Sequence, residues 1–164
     1  MPTKRLTLMA LMMALVIVLS SFSITVPGGH LYLNDVVIVL AALLFEPKDA
    51  LLVGGVGAFL GDLFFYPTPM FVSLVTHGIQ AYVISSLSHK DDKLISKKRS
   101  FIAACVGTLI MVAGYTFGRA FIYSTLEKSL IKLPFQIFQA SAGVALGYFL
   151  RYYVVPKQLE SEIK

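Results

Sequence analysis

GGVGAFLGDLFFYPTP, residues 54–69, sets four glycines, one carboxylate and two prolines among Val, Ala, Leu and Phe. A soluble core strand rarely tolerates that many glycines. An apolar helix rarely tolerates Asp62. The meaning of the stretch depends on its solvent, and composition supplies that. Hydrophobic residues make up 57% of the 164-residue chain and charged residues 14%. A soluble domain carries about 25% charged residues. The mean hydropathy of +0.77 accords with a membrane-embedded chain. The net charge of +5 does not point to nucleic acid, because the basic residues form short clusters between apolar runs. Cys105 is the single cysteine, so an internal disulfide and a cysteine-built metal site are excluded, and its apolar surroundings predict a buried, inert thiol.

Read outward from Gly54, the chain divides into six apolar stretches, each tested against the ~20 residues a spanning helix needs. They are Leu6–Val26, Leu33–Phe45, a third ending at Tyr66, Met70–Ser88, Phe101–Tyr123 and Leu133–Val155. The second is short for a crossing, and EPKD at Glu46–Asp49 is a tight turn to the third. Lys4 and Arg5 before the first stretch could open a cleavable signal peptide, but the apolar run is long for one and more spans follow. The expected fold is an all-α integral membrane protein. It is one domain over residues 1–164, a compact bundle of six transmembrane helices with a pocket facing outward.

Orientation follows Lys and Arg. With the N-terminus cytoplasmic, the inner segments hold Lys4, Arg5, Lys48, Lys90, Lys93, Lys97, Lys98, Arg99, Arg151, Lys157 and Lys164. The outer loops hold only Lys128 and Lys132. Both termini are therefore expected on the cytoplasmic side. The outer segments TVPGGHLYLND, FYPTP and YSTLEKSLIKLP are rich in Pro, Gly and Tyr, as loops over a cavity mouth are.

The polar groups within the spans share a level. At ~1.5 Å per residue, Asp62 sits about 18 Å above the inner surface and Arg119 about 27 Å. His77, Gln80, Gln136 and Gln139 enter from the outer side. The inner half of every span is nearly free of such groups, which predicts an outward pocket rather than a continuous polar pore. A charge in hydrocarbon turns inward and finds a partner. Asp62 is expected either to pair with Arg119 or to support the pocket. His77 is either a ligand contact or a satisfied interhelical histidine. The glutamines suit a neutral heterocycle with hydroxyl and ring-nitrogen groups, or serve as interhelical glue. Tyr32, Phe64, Phe65, Tyr66, Phe71, Tyr115 and Tyr123 lie at the same level and predict a stacking surface for a flat ring.

Gly57-x-x-x-Gly61, Gly114-x-x-x-Gly118 and Gly143-x-x-x-Gly147 predict close helix contacts. Ala10-x-x-x-Ala14 forms a small groove flanked by Met9, Met12 and Met13. There is no HExxH, GxSxG or P-loop and no metal-ligand spacing, so neither an enzyme nor a metal or cofactor site is expected. A pump would need a partner's ATPase. A stand-alone carrier would need polar groups through the inner half as well.

AxxxA in the first helix, GAFLGDLFFYPTPMF ending the third, HGIQAYVISSL in the fourth, GYTFGRAF in the fifth and LPFQIFQASAGVALGYFL in the sixth resemble one family. It is the substrate-binding S component of energy-coupling factor (ECF) vitamin transporters, and the resemblance covers nearly the whole chain. It implies a multi-pass subunit of the bacterial cell membrane that binds a vitamin or precursor from outside. Docking through Ala10 and Ala14 onto a transmembrane coupling protein, driven by two cytoplasmic ABC-type ATPases, is implied too. The implied pocket residues are His77, Gln80, Tyr115, Arg119, Gln136 and Gln139, with Tyr32 and Asn34. The nearest branch is that assigned to hydroxymethylpyrimidine or pyridoxine. That branch often has Lys, Glu and Asn where His77, Arg119 and Gln136 stand here, so riboflavin, pantothenate and niacin remain open. Arg119 would favour an anionic group if Asp62 does not consume it.

Overall fold

A computed structural model describes residues 3–89 and 96–156. The predicted inner-side cations Lys90, Lys93, Lys157 and Lys164 lie outside the described residues. Helix α1, Thr3–Ser21, leads into a β-hairpin of β1, Ser23–Val26, and β2, Gly29–Tyr32. Helix α2 is Asn34–Leu44. Helix α3, Pro47–Leu51, passes through a π-helical turn, Leu52–Val56, into α4, Gly57–Phe65. Helix α5 is Met70–Ser88. Helix α6, Lys97–Gly118, ends in a π turn, Arg119–Tyr123, and α7, Leu126–Phe149, in another, Leu150–Val154.

Four of these runs are long and apolar enough to cross a membrane: Thr3–Ser21, Met70–Ser88, Lys97–Tyr123 and Leu126–Val154. Their outer faces carry Leu11, Leu109, Phe121 and Phe138, all exposed, while His77, Gln80, Asp35 and Arg119 are buried. A polar interior inside an apolar belt is the arrangement a bilayer demands.

Helix α2 lies at the centre. Every residue from Val37 to Leu44 is buried, with α1, α5 and α7 packed around it. At ~1.5 Å per residue its 11 residues extend about 16 Å, half the hydrocarbon thickness of about 30 Å. Glycine contacts hold the bundle around it. A Cβ on Gly61 would meet Ser20 Oγ at 2.5 Å, one on Gly55 the Leu74 carbonyl at 2.9 Å, and one on Gly147 the Val36 carbonyl at 2.9 Å. At the turn into α3, Arg5 reaches Glu46 at 2.7 Å and Asp49 at 2.5 Å, fastening the start of α1.

The structure corrects several expectations. The first helix stops at Ser21, and Ser23–Val26 is a strand paired Ser23 to Tyr32 through Val26 to Gly29. Ile24, Thr25 and Val26 favour that conformation. The turn is Pro27-Gly28, with Gly28 at φ 83°, as a type II turn requires at its second central residue. The fold is mostly helical, as an all-α membrane protein is, with one short hairpin added. The last helix begins at Leu126, not Leu133, and includes Pro134. Thr125 caps it by accepting the Lys128 N–H at 3.4 Å, and Glu127 complements the helix dipole in the first turn. Lys128 and Lys132 are thus helical rather than loop residues. Cys105 is exposed on the outer face of α6, not buried. Met9 and Met12 turn inward, away from the groove they were expected to flank, whereas Ala10 and Ala14 are exposed.

Candidate functional site

The hairpin, the α4–α5 loop and the α6–α7 turn meet at one end of the bundle around a cavity of about 350 Å³. Its wall includes Gly28 to His30 and Tyr32 from the hairpin, Asn34, Asp62, Tyr66, His77, Tyr115, Arg119, Tyr123 and, from α7, Lys128, Lys132, Gln136 and Gln139. The hairpin is seated by α7. Gln139 Oε1 accepts the Tyr32 N–H at 3.1 Å, and Lys132 Nζ donates to the His30 carbonyl. Gly28 lies so close that a Cβ there would come within 2.7 Å of the Lys128 carbonyl.

Two polar networks line the cavity. On the α4–α5 side, the Tyr115 hydroxyl donates to Ser73 Oγ at 2.5 Å, and Ser73 donates to Asp62. His77 Nδ1 lies 2.7 Å from Gln80 Oε1 and 3.8 Å from Asp35 Oδ1. Facing two acceptors, Nδ1 carries a proton, which leaves Nε2 an acceptor in the neutral ring. On the α6–α7 side, Arg119 donates to Gln136 Oε1 at 3.1 Å, and Gln136 Nε2 to the Val112 carbonyl at 3.0 Å. The guanidinium also lies over the Tyr123 ring, 5.6 Å from its centre. Gln139 Nε2 joins the hairpin to α2 by donating to Asp35 Oδ2 at 2.5 Å. Two buried atoms of wall residues lack partners among the described residues: Asn34 Oδ1 and the Tyr123 hydroxyl. Burial, ahead of the nearby Asp62 charge, pushes the Tyr32 phenol above its ordinary 10.0, so it stays a neutral donor at physiological pH.

Of the residues singled out in the sequence, Tyr32, Asn34, Asp62, His77, Tyr115, Arg119, Gln136 and Gln139 come together in the wall. Gln80 does not; it lies behind His77 as its hydrogen-bond partner. Asp62 and Arg119 form no ion pair; Asp62 is held by Ser73 and Arg119 by Gln136. Phe64, Phe65 and Phe71 point outward and are exposed, so the aromatic wall consists of Tyr32, Tyr66, Tyr115 and Tyr123. Ala10 and Ala14, on α1, are not in this wall.

Lys132, Asp35 and Ser73 were missed. Lys132 precedes Pro134 and reads as loop, although Thr125 followed by Glu127 marks a helix start. The segment TVPGGHLYLND puts Asp35 in the first outer loop, yet Asn-Asp before an apolar run is a helix N-terminus. Ser73 carries no sequence signal beyond its place one turn before His77.

A family model described as "ECF-type riboflavin transporter, S component" matches residues 1–155. The thiamine precursor transporter HmpT of Lactococcus lactis subsp. cremoris (strain MG1363) is 36% identical over 117 residues, covering 68% of this chain. That match spans 64% of the length of HmpT. A protein of Pyrococcus woesei described as "Uncharacterized protein in gap 3'region" is 29% identical over 131 residues, 79% of this chain and 86% of its own length.

Proposed function

Because this chain belongs to the S-component family of ECF-type transporters, we propose that it captures a vitamin or vitamin precursor in the cavity at the hairpin end. It is a membrane transport subunit rather than an enzyme. The family implies association with a transporter module that has membrane and ATPase components. In this reading the six helical stretches are six spans, both termini are cytoplasmic and the cavity faces outward. The exposed Ala10 and Ala14 dock on a transmembrane coupling protein, and two cytoplasmic ATPases supply the energy.

One observation supports a capture site above all: a cavity ringed by buried polar groups, two of whose atoms, Asn34 Oδ1 and the Tyr123 hydroxyl, await partners. Its 350 Å³ lies at the low end of the roughly 300–1,000 Å³ typical of ligand pockets. The name of the relative HmpT points to a thiamine precursor. Hydroxymethylpyrimidine or a pyridoxine-type ring is the substrate class we favour.

The test is calorimetric titration of the purified protein in detergent, without partners, with hydroxymethylpyrimidine, pyridoxine, pyridoxal, riboflavin, pantothenate and niacin. Saturable binding of a single-ring compound supports the reading. Preference for riboflavin would overturn the substrate class. Substrate flux into liposomes by the chain alone would replace the capture subunit with a stand-alone carrier.

A further inference from the structure

Arg119 and Lys132 are cations of the cavity wall, and both are buried, at 6% and 5% exposure. Each makes its hydrogen bond to a neutral oxygen, Gln136 Oε1 for Arg119 and the His30 carbonyl for Lys132. Among the described residues neither forms an ion pair. The nearby carboxylates make their hydrogen bonds elsewhere and act on Lys132 only through space. Asp62 takes the Ser73 hydroxyl, and Asp35 takes Gln139 and faces His77. The carboxylates thus belong to the α2, α4 and α5 side of the cavity and the cations to the α6–α7 side.

The two cations are also within reach of one small group. Lys132 and Gln136 are one turn apart on the same face of α7, and Arg119 is bound to that Gln136. Lys128, one turn before Lys132, lines the wall from an exposed position. A series of like charges running from the rim into a low-dielectric cavity attracts an opposite charge. Cations buried without a directly paired counterion are costly. A planar guanidinium beside an ammonium matches the oxygens of a carboxylate or a phosphate.

We propose that the ligand of this cavity carries a carboxylate or phosphate group, which seats between Arg119 and Lys132. This rests on reading the cavity as the capture site and narrows the single-ring class to its acids and phosphate esters, so that hydroxymethylpyrimidine and pyridoxine themselves bind more weakly than their phosphates. Of two compounds with the same ring, the acid or phosphate ester is preferred over the neutral amide or alcohol.

The experiment is calorimetry on the full chain in detergent at fixed ionic strength, with matched pairs. They are nicotinate and nicotinamide, pantothenate and pantothenol, pyridoxine 5′-phosphate and pyridoxine, and hydroxymethylpyrimidine with and without its phosphate. The anionic member of the binding pair is expected to bind at least about tenfold tighter. Arg119→Gln and Lys132→Gln should each weaken the anionic member by more than the neutral member, so that the preference between the two is lost. Because neither side chain forms a direct ion pair among the described residues, the ligand-free melting temperature should change little. A structural cation would instead lower it and leave the preference intact, which would overturn the proposal. Equal or tighter binding of the neutral member also overturns it, while the capture reading stands. If no member of any pair binds, the capture reading falls and the inference with it.

Discussion

Asp62 and Arg119 line the same cavity and ignore one another. The partner of Asp62 is a serine one helix away, and that serine also holds Tyr115. Removing it should therefore cost more than its size suggests. Ser73→Ala leaves a buried carboxylate and a half-buried phenol short of a partner, and a buried orphan costs about 1–3 kcal/mol. A melt in detergent should show that loss. Asp62→Asn keeps an acceptor for Ser73, so the expected stability change is within about 1 kcal/mol. The same melt compares the two. An unfolding penalty for the asparagine variant as large as that for Ser73→Ala would mean that the charge itself is structural. The polar level of these residues was legible from the sequence, because ionisable groups inside apolar runs are few. Their pairing was not. Partner choice depends on side-chain direction, and nothing in a linear sequence says that Gln80 points behind His77 rather than beside it.

At the scale of the element, the glycines work by proximity. Gly55 sits in a π turn whose atoms approach the backbone of α5, and Gly147 touches the backbone of α2. Backbone cannot rotate aside as a side chain can. Gly55→Ala and Gly147→Ala should each destabilise by about 1–3 kcal/mol, the usual cost of overpacking. Gly28→Ala is different in kind. It forces a positive φ on a residue with a side chain and drives a methyl toward the Lys128 carbonyl. The expected result is a hairpin that no longer seats on α7, read as faster ligand dissociation with little change in the melting temperature of the bundle. Helix existence could be read from apolar runs, but helix ends could not. Ile24 and Val26 are apolar in a strand as they would be in a helix. Lys132 and Pro134 look like loop residues until Thr125 is recognised as the cap.

For the whole molecule, the one-sided placement of polar groups was the informative signal, and the structure gathers eight of the nine residues named for the pocket or its support around one cavity. What the sequence could not supply was the layering. Helix α2 is short for a crossing and reads as an exception, yet it is the centre around which the rest is arranged. The exposed Ala10 and Ala14 give a prediction at this scale. Ala10→Leu with Ala14→Leu should leave ligand affinity unchanged while abolishing co-purification of the ATPase partners. Loss of ligand binding in the same variant would mean that α1 packs inward through that face.

The central helix also bears on how the chain is made. Eleven residues cannot settle in a bilayer unaided, and the first two, Asn34 and Asp35, are polar. As the protein leaves the ribosome, α2 emerges long before α7, whose Gly143 and Gly147 close over it. We hypothesise that insertion is provisional until the last helix arrives, with the future core held at the insertion machinery as the part least able to stay in lipid. In a Cys105→Ser chain truncated before Leu126, a cysteine placed at Val39 should react with a water-soluble maleimide. The same cysteine in the full-length chain should not. Equal protection in both would mean that α1 to α6 already shelter the helix.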